Sequence, residues 1–266
     1  MVEEFPDQYA FKYTTLDYVR TYEEFREDVD RFARALISMG VKAGTKVSIW
    51  ATNVPAWYIT FWAATKIGAV LVTVNTAYKR HEADYLFRQS DTHTLVMVES
   101  CLDSNYKEII NEICPEIAKS KAGEPLHCKR LPFLRNVITV GFKQAGCLTF
   151  DEAMERGDLV PQEELNRMAA RVRPDDVCNM QYTSGTTGFP KGVMLTHYNV
   201  VNNGKYIGDH MDLSTADRMM IQVPMFHCFG MVLSMTASLT HGATVCPMPY
   251  FSAKSSLACI NQERIT

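Results

Sequence analysis

The chain has no Cys-x-x-Cys pair among its eight cysteines, no excess of basic charge, no low-complexity tract and no repeat at a solenoid period. Each absence removes a class of protein. Cys101, Cys114, Cys128, Cys147, Cys178, Cys228, Cys246 and Cys259 are scattered, several inside apolar strand or helix patterns. They read as reduced, mostly buried thiols of a cytoplasmic protein, and a metal site would need distant residues folded together. Lys and Arg number 27 against 30 Asp and Glu, a net charge of −3, which leaves no basic field for nucleic acid. The opening Met1-Val-Glu-Glu-Phe-Pro is acidic and lacks an apolar core, so no secretory signal is expected. Ala56 to Val74 is largely apolar, but Lys66 lies near its centre, where a membrane would charge roughly 2.5–3.5 kcal/mol. Gly68 also divides it into an aromatic helical half and a β-branched half. A buried helix followed by a buried strand is expected, and no membrane span.

What is present is an ordinary globular composition, 266 residues with 47% apolar and 21% charged. Thr21 and Glu24 spell a capping box, followed by Phe25, Val29, Phe32, Leu36 and Ile37 at helical spacing and by Gly40 as a stop. Strands are expected at 46–50, 69–74, 94–98, 136–140, 176–182, 193–196, 219–223 and 243–246. Helices are expected between them, including 81–90, 105–113, 199–210, 230–241 and a last one ending near Arg264. Such alternation predicts an α/β protein with mainly parallel, doubly wound sheets flanked by helices. Arg173-Pro174-Asp175-Asp176 suggests a joint between an α/β subdomain at 1–172 and a second at 173–266. Trp50, Trp57, Tyr58, Phe61 and Trp62 are expected as packed core, not a ligand box.

The most informative stretch runs from Gln181 to Gly192, and its last ten residues, from Thr183, hold four hydroxyls, three glycines and Lys191. Hydroxyls and exposed backbone N–H groups donate to oxyanions, glycine permits close approach, and the lysine adds a point charge. A polyphosphate suits that set. The spacing is not that of the common P-loop, because Pro190 precedes Lys191 and Gly192 follows it. Ser184 as a hydrolase nucleophile fails because the run is not Gly-x-Ser-x-Gly. His227 and Cys228 are sequence neighbours whose side chains are expected to point apart, which argues against a catalytic dyad.

The run Tyr182-Thr-Ser-Gly-Thr-Thr-Gly-Phe-Pro-Lys-Gly192 resembles, without gaps, the phosphate-binding signature of the adenylate-forming superfamily, in particular the AMP-forming acyl-CoA synthetases. Thr21-Tyr-Glu-Glu-Phe25, Thr65-Lys-Ile-Gly-Ala69, Val72-Thr-Val-Asn-Thr76 and Pro224-Met-Phe-His227 resemble other segments of that family. The resemblance implies a ligase that joins a carboxylic acid to the α-phosphate of ATP and then passes the acyl group to CoA. It implies that Thr183, Ser184, Gly185, Thr186, Thr187, Gly188 and Lys191 bind the nucleotide, that Lys191 acts on the transferring phosphates, and that Thr183 helps hold Mg²⁺. His227, Phe229 and Gly230 are implied as lining of the acyl pocket, with a fatty acid the expected substrate. Family members are roughly twice as long, and the later acidic Mg²⁺ segment, the ribose carboxylate and the C-terminal adenylation lysine have no match here. The chain alone is therefore expected to be inactive, with an exposed apolar patch that favours dimers. Two other readings share the loop: an aryl-CoA ligase or adenylation domain, and a nucleotide-binding or interaction fragment without turnover.

Overall fold

A seven-stranded sheet carries the molecule, and its strand order explains where a ligand can bind. In the computed structural model, which describes residues 1–183 and 190–266, the order across this sheet is Lys191–Thr196, Val177–Thr183, Val70–Thr73, Lys46–Trp50, Thr92–Val98, Asn136–Val140 and Leu148–Thr149. All neighbours run parallel except the first pair, which is antiparallel. The chain starts at the sheet's middle with Lys46–Trp50, moves to one side for Val70–Thr73, then returns to the other side for Thr92–Val98. That reversal opens a crevice at the carboxyl ends of the strands, the usual place for a ligand in such sheets.

The sheet is buried on both faces, and side-chain alternation divides the core in two. Val47, Ile49, Leu71, Val96, Ile138 and Cys178 face the helices Tyr22–Ser38 and Pro55–Lys66. Val70, Val72, Leu95, Met97, Val137 and Met180 face the helices Arg80–Gln89 and Tyr106–Ile113. The expected doubly wound α/β architecture is what the chain adopts. The capping box is formed as the sequence spells it, with Glu24 N donating to Thr21 Oγ1 at 3.2 Å and Thr21 N donating to Glu24 Oε2 at 2.8 Å. Of the aromatic group, Trp50, Trp57, Tyr58 and Phe61 are buried and Trp62 is half-buried. Six of the eight cysteines are buried.

A second sheet of four strands has the order Arg218–Ile221, Thr244–Pro247, Tyr9–Lys12 and Val19–Thr21. Its last two strands form an N-terminal hairpin that sequence periodicity does not reveal. They are four and three residues long, and their burial is too mixed to leave an apolar run. Tyr9–Lys12 pairs in parallel with Thr244–Pro247, Phe11 opposite Val245. Strands from both sides of the Arg173–Asp176 joint therefore share each sheet.

The helix expected at 230–241 also differs. Phe229–Thr236 winds as a π-helix, and only Ala237–Thr240 is α-helical. Hydroxyls five residues on take up the carbonyls: Ser234 Oγ donates to Phe229 O at 3.0 Å and Thr236 Oγ1 to Met231 O at 2.8 Å. Wide turns of this kind are frequent beside functional sites.

Candidate functional site: the carboxyl edge of the large sheet

Val177–Thr183 reaches the carboxyl edge beside Val70–Thr73, and Lys191–Thr196 returns antiparallel to it. Thr183 and Lys191 stand directly opposite each other in that register, and both are exposed. The sequence places them eight positions apart, and the hairpin makes them cross-strand neighbours. Among the described residues no carboxylate pairs with Lys191, so its positive charge is free for an external anion. Ser184, Gly185, Thr186, Thr187 and Gly188 lie outside the described residues.

The two ends of the loop are held by one helix. Tyr85 Oη, on Arg80–Gln89, donates to Pro190 O at 3.2 Å, and Tyr182 Oη donates to Gln89 Oε1 at the end of the same helix. Burial pushes the Tyr182 phenol well above the usual tyrosine range, so it stays a neutral donor. Gly192 has a packing role as well. A Cβ there would stand 3.1 Å from Met180 Cγ and Sδ, so the missing side chain lets Met180 lie against the returning strand.

Two buried polar side chains tie this edge to the 223–230 segment. Gln181 accepts a hydrogen bond from Thr73 Oγ1 at 3.1 Å and donates through Nε2 to Phe226 O. Asn53, just past the end of Lys46–Trp50, donates to Val223 O at 2.9 Å and accepts from Met225 N at 2.8 Å. Its own carbonyl accepts from Tyr13 Oη at 2.6 Å. His227 is thereby set next to a residue fixed from the strand that feeds the loop. Sequence alone assigns no site role to Asn53, Gln181 or Thr73. The available signal was a polar amide inside an apolar strand, at Gln181, and such a group must find a partner when buried.

His227 is exposed, and its Nδ1 accepts from Phe229 N at 3.1 Å. That bond uses Nδ1 as an acceptor and leaves Nε2 as the ring's donor. Phe229 is half exposed at 52%, as a side chain that lines an open pocket would be. Gly230 is buried for a reason other than ligand space: a Cβ would lie 2.6 Å from Pro224 O and 2.9 Å from Met225 Cα. The glycine seats the π-helix against the segment that carries His227.

The edge fits an anionic phosphate, with an exposed lysine that no described carboxylate pairs and a hydroxyl facing it across the register. For a magnesium ion the described residues offer Thr183 and no acidic cluster, so the ion's other ligands would be phosphate oxygens and water.

Comparison with known proteins then points one way. The family model described as AMP-binding enzyme matches residues 1–266. The chain is 42% identical over 263 residues to the Bacillus subtilis protein YngI, assigned as an acyl-CoA synthetase, which covers 98% of this chain and 48% of that protein. It is 33% identical over 267 residues to the human mitochondrial medium-chain acyl-CoA ligase ACSF2, covering 98% of this chain and 43% of that one. Among solved structures, the anthranilate CoA ligase AuaEII in complex with anthranoyl-AMP superposes with a TM-score of 0.83 at 23% identity, over 99% of this chain and 46% of that one. The chain spans under half the length of the curated relatives it matches.

Proposed function

Because the chain belongs to the AMP-binding enzyme family, we propose that it supplies the phosphate-binding edge and part of the acyl-pocket wall of an ATP-dependent, AMP-forming acyl-CoA synthetase. The observation that carries this reading is the exposed Lys191, which no described carboxylate pairs, directly opposite Thr183 at the carboxyl edge of a parallel sheet.

In this reading a carboxylate attacks the α-phosphate of ATP and pyrophosphate leaves, after which the CoA thiol displaces AMP. Charge collects on phosphoryl oxygens, so the protein's task is positioning and electrostatic stabilisation. Lys191 holds the outer phosphates, and Thr183 with the hydroxyls of Ser184, Thr186 and Thr187 donates to their oxygens. Thr183 would help hold Mg²⁺, which would offset the negative charge of the phosphates. His227 Nε2–H and the Phe229 ring face the acyl group. A fatty acid is the proposed substrate on the apolar character of that segment, and the medium-chain ligase activity named for ACSF2 favours it. The anthranoyl-AMP bound by AuaEII keeps an aryl acid as the second reading. A cytoplasmic setting rests on the unpaired cysteines alone. Self-association is proposed through the exposed Val193, Met194, Tyr198 and Tyr206.

Calorimetric titration with Mg-ATP tests the site. The wild-type chain should bind, and Lys191→Ala should weaken binding at least about tenfold, roughly 1.4 kcal/mol. Steady AMP release should stay at background for both, because the chain holds only part of the proposed machinery. Equal binding by wild type and variant would remove Lys191 and this edge from the site.

A further inference from the structure

Away from that edge, the structure brings together three groups that the sequence leaves scattered. Cys114 ends the helix Tyr106–Ile113, Glu116 lies in the 3₁₀ turn Pro115–Lys119, and Cys128 follows in the loop that returns to the sheet. The two sulfurs and a Glu116 oxygen all lie within 4.8 Å of one another. Cys114 and Cys128 are fully or almost fully buried.

Cys128 Sγ donates to Ile113 O at 3.9 Å, so the metal-free cluster is a pair of thiols beside a carboxylate, and a cation would replace the thiol protons. Lys129 N donates to Glu116 Oε1 at 3.2 Å, which fixes the carboxylate, while Oε2 is buried beside the Cys114 and Cys128 thiols. Leu131 N donates to Cys128 Sγ at 3.3 Å, a bond that orients the sulfur. We propose that Cys114, Glu116 and Cys128 form a binding site for a thiophilic divalent cation of the zinc type, with water as fourth ligand.

Two thiolates and a carboxylate match the ligand preference of zinc, whose sulfur ligands stand about 3.8 Å apart around a tetrahedral ion with bonds of about 2.3 Å. The two sulfurs need to approach by no more than about 1 Å, and the carboxylate oxygen by no more than about 1.3 Å, to reach that arrangement. On binding, two S–H bonds break, two sulfur–metal bonds form, and both protons pass to solvent. No electron is exchanged. The consequence is structural: the ion would clip the 120–135 loop to the end of the Tyr106–Ile113 helix. That loop is already held by Arg130, which pairs with both oxygens of Asp84, by the buried Leu126, Leu131 and Leu134, and by backbone bonds such as Arg135 N to His93 O at 2.8 Å, so the ion would add one more tie.

The test is titration of the reduced, metal-free chain with Co²⁺ and then Zn²⁺. One equivalent of Co²⁺ should produce thiolate-to-cobalt charge-transfer absorption that Zn²⁺ displaces. Zinc at one hundred times its Kd should raise Tm by roughly 5 °C. Cys128→Ser should abolish the absorption, and Glu116→Gln, which keeps the shape of the side chain, should weaken binding at least tenfold. Absence of charge-transfer absorption in the wild type overturns the proposal even if a cysteine variant fails to fold. So does full absorption in Glu116→Gln and Cys128→Ser, or conversion of Cys114 and Cys128 to a disulfide that leaves metal uptake unchanged.

Discussion

The strand that leads into the phosphate loop and the strand that leaves it are hydrogen-bonded neighbours, yet they obey different rules. Met180 and Met194 sit directly opposite each other in the register. Met180 is 8% exposed and packs with Val72 and the sheet's lower core, whereas Met194 is 64% exposed at the edge. An interior parallel strand is covered on both faces, while an edge strand in the same sheet is not. One arm is therefore covered on both faces, and the other is bonded along one edge only. The largest expected effect separates the arms. Met180→Ala should cost about 2–5 kcal/mol in urea unfolding, and Met194→Ala should stay within about 0.5 kcal/mol. Equal losses would mean that the edge strand is covered in solution.

Gln181 ties the fixed arm to Phe226, and Asn53 holds the same 223–230 segment from the other side. Asn53 is 3% exposed and holds both Val223 O and Met225 N. Asn53→Ala leaves a backbone acceptor and a backbone donor without their partner, a loss of about 1–3 kcal/mol. Amide exchange at Met225 should rise with it, since its N–H loses its acceptor. Protection at Met194, on the other arm, should not change. A rise at both would show that the arms move as one unit and would break the comparison.

Much of this was legible in the sequence, for physical reasons that differ by element. The helix Tyr22–Ser38 was readable because its cap and apolar stripe are local. The parallel strands were readable because burial on two faces produces continuous apolar runs. The N-terminal hairpin was not, since Tyr9–Lys12 is stabilised by a strand more than two hundred residues away. The π-helix was equally hidden, because its cause is the spacing of Ser234 and Thr236 hydroxyls against a wide turn. In the site, Thr183 and Lys191 were found by residue type. Their facing positions and the Asn53 and Gln181 ties needed the tertiary fold. Cys114 and Cys128 looked unrelated because a fourteen-residue separation carries no metal spacing by itself.

The smallest effect lies at the other end of the same two strands. His197 follows the edge strand, and its N–H donates to Asp176 O at 3.1 Å, next to the start of the fixed arm. Burial lowers its pKa, with Asp176 opposing, and its Nε2 is buried with no hydrogen-bond partner among the described residues. The folded state therefore takes up a proton less readily than the unfolded chain, whose histidine titrates near 6.5. The stabilisation from a neutral His197 is complete above about pH 6.5 and declines as pH falls below it. His93, also lowered by burial and by Arg135, declines in the same window. Tm should accordingly drop from pH 7 to pH 5, and His197→Gln should remove part of that slope while His93 keeps the rest. An unchanged slope in His197→Gln would mean that this end of the arms is open to water, and that the contrast between them is confined to the carboxyl edge.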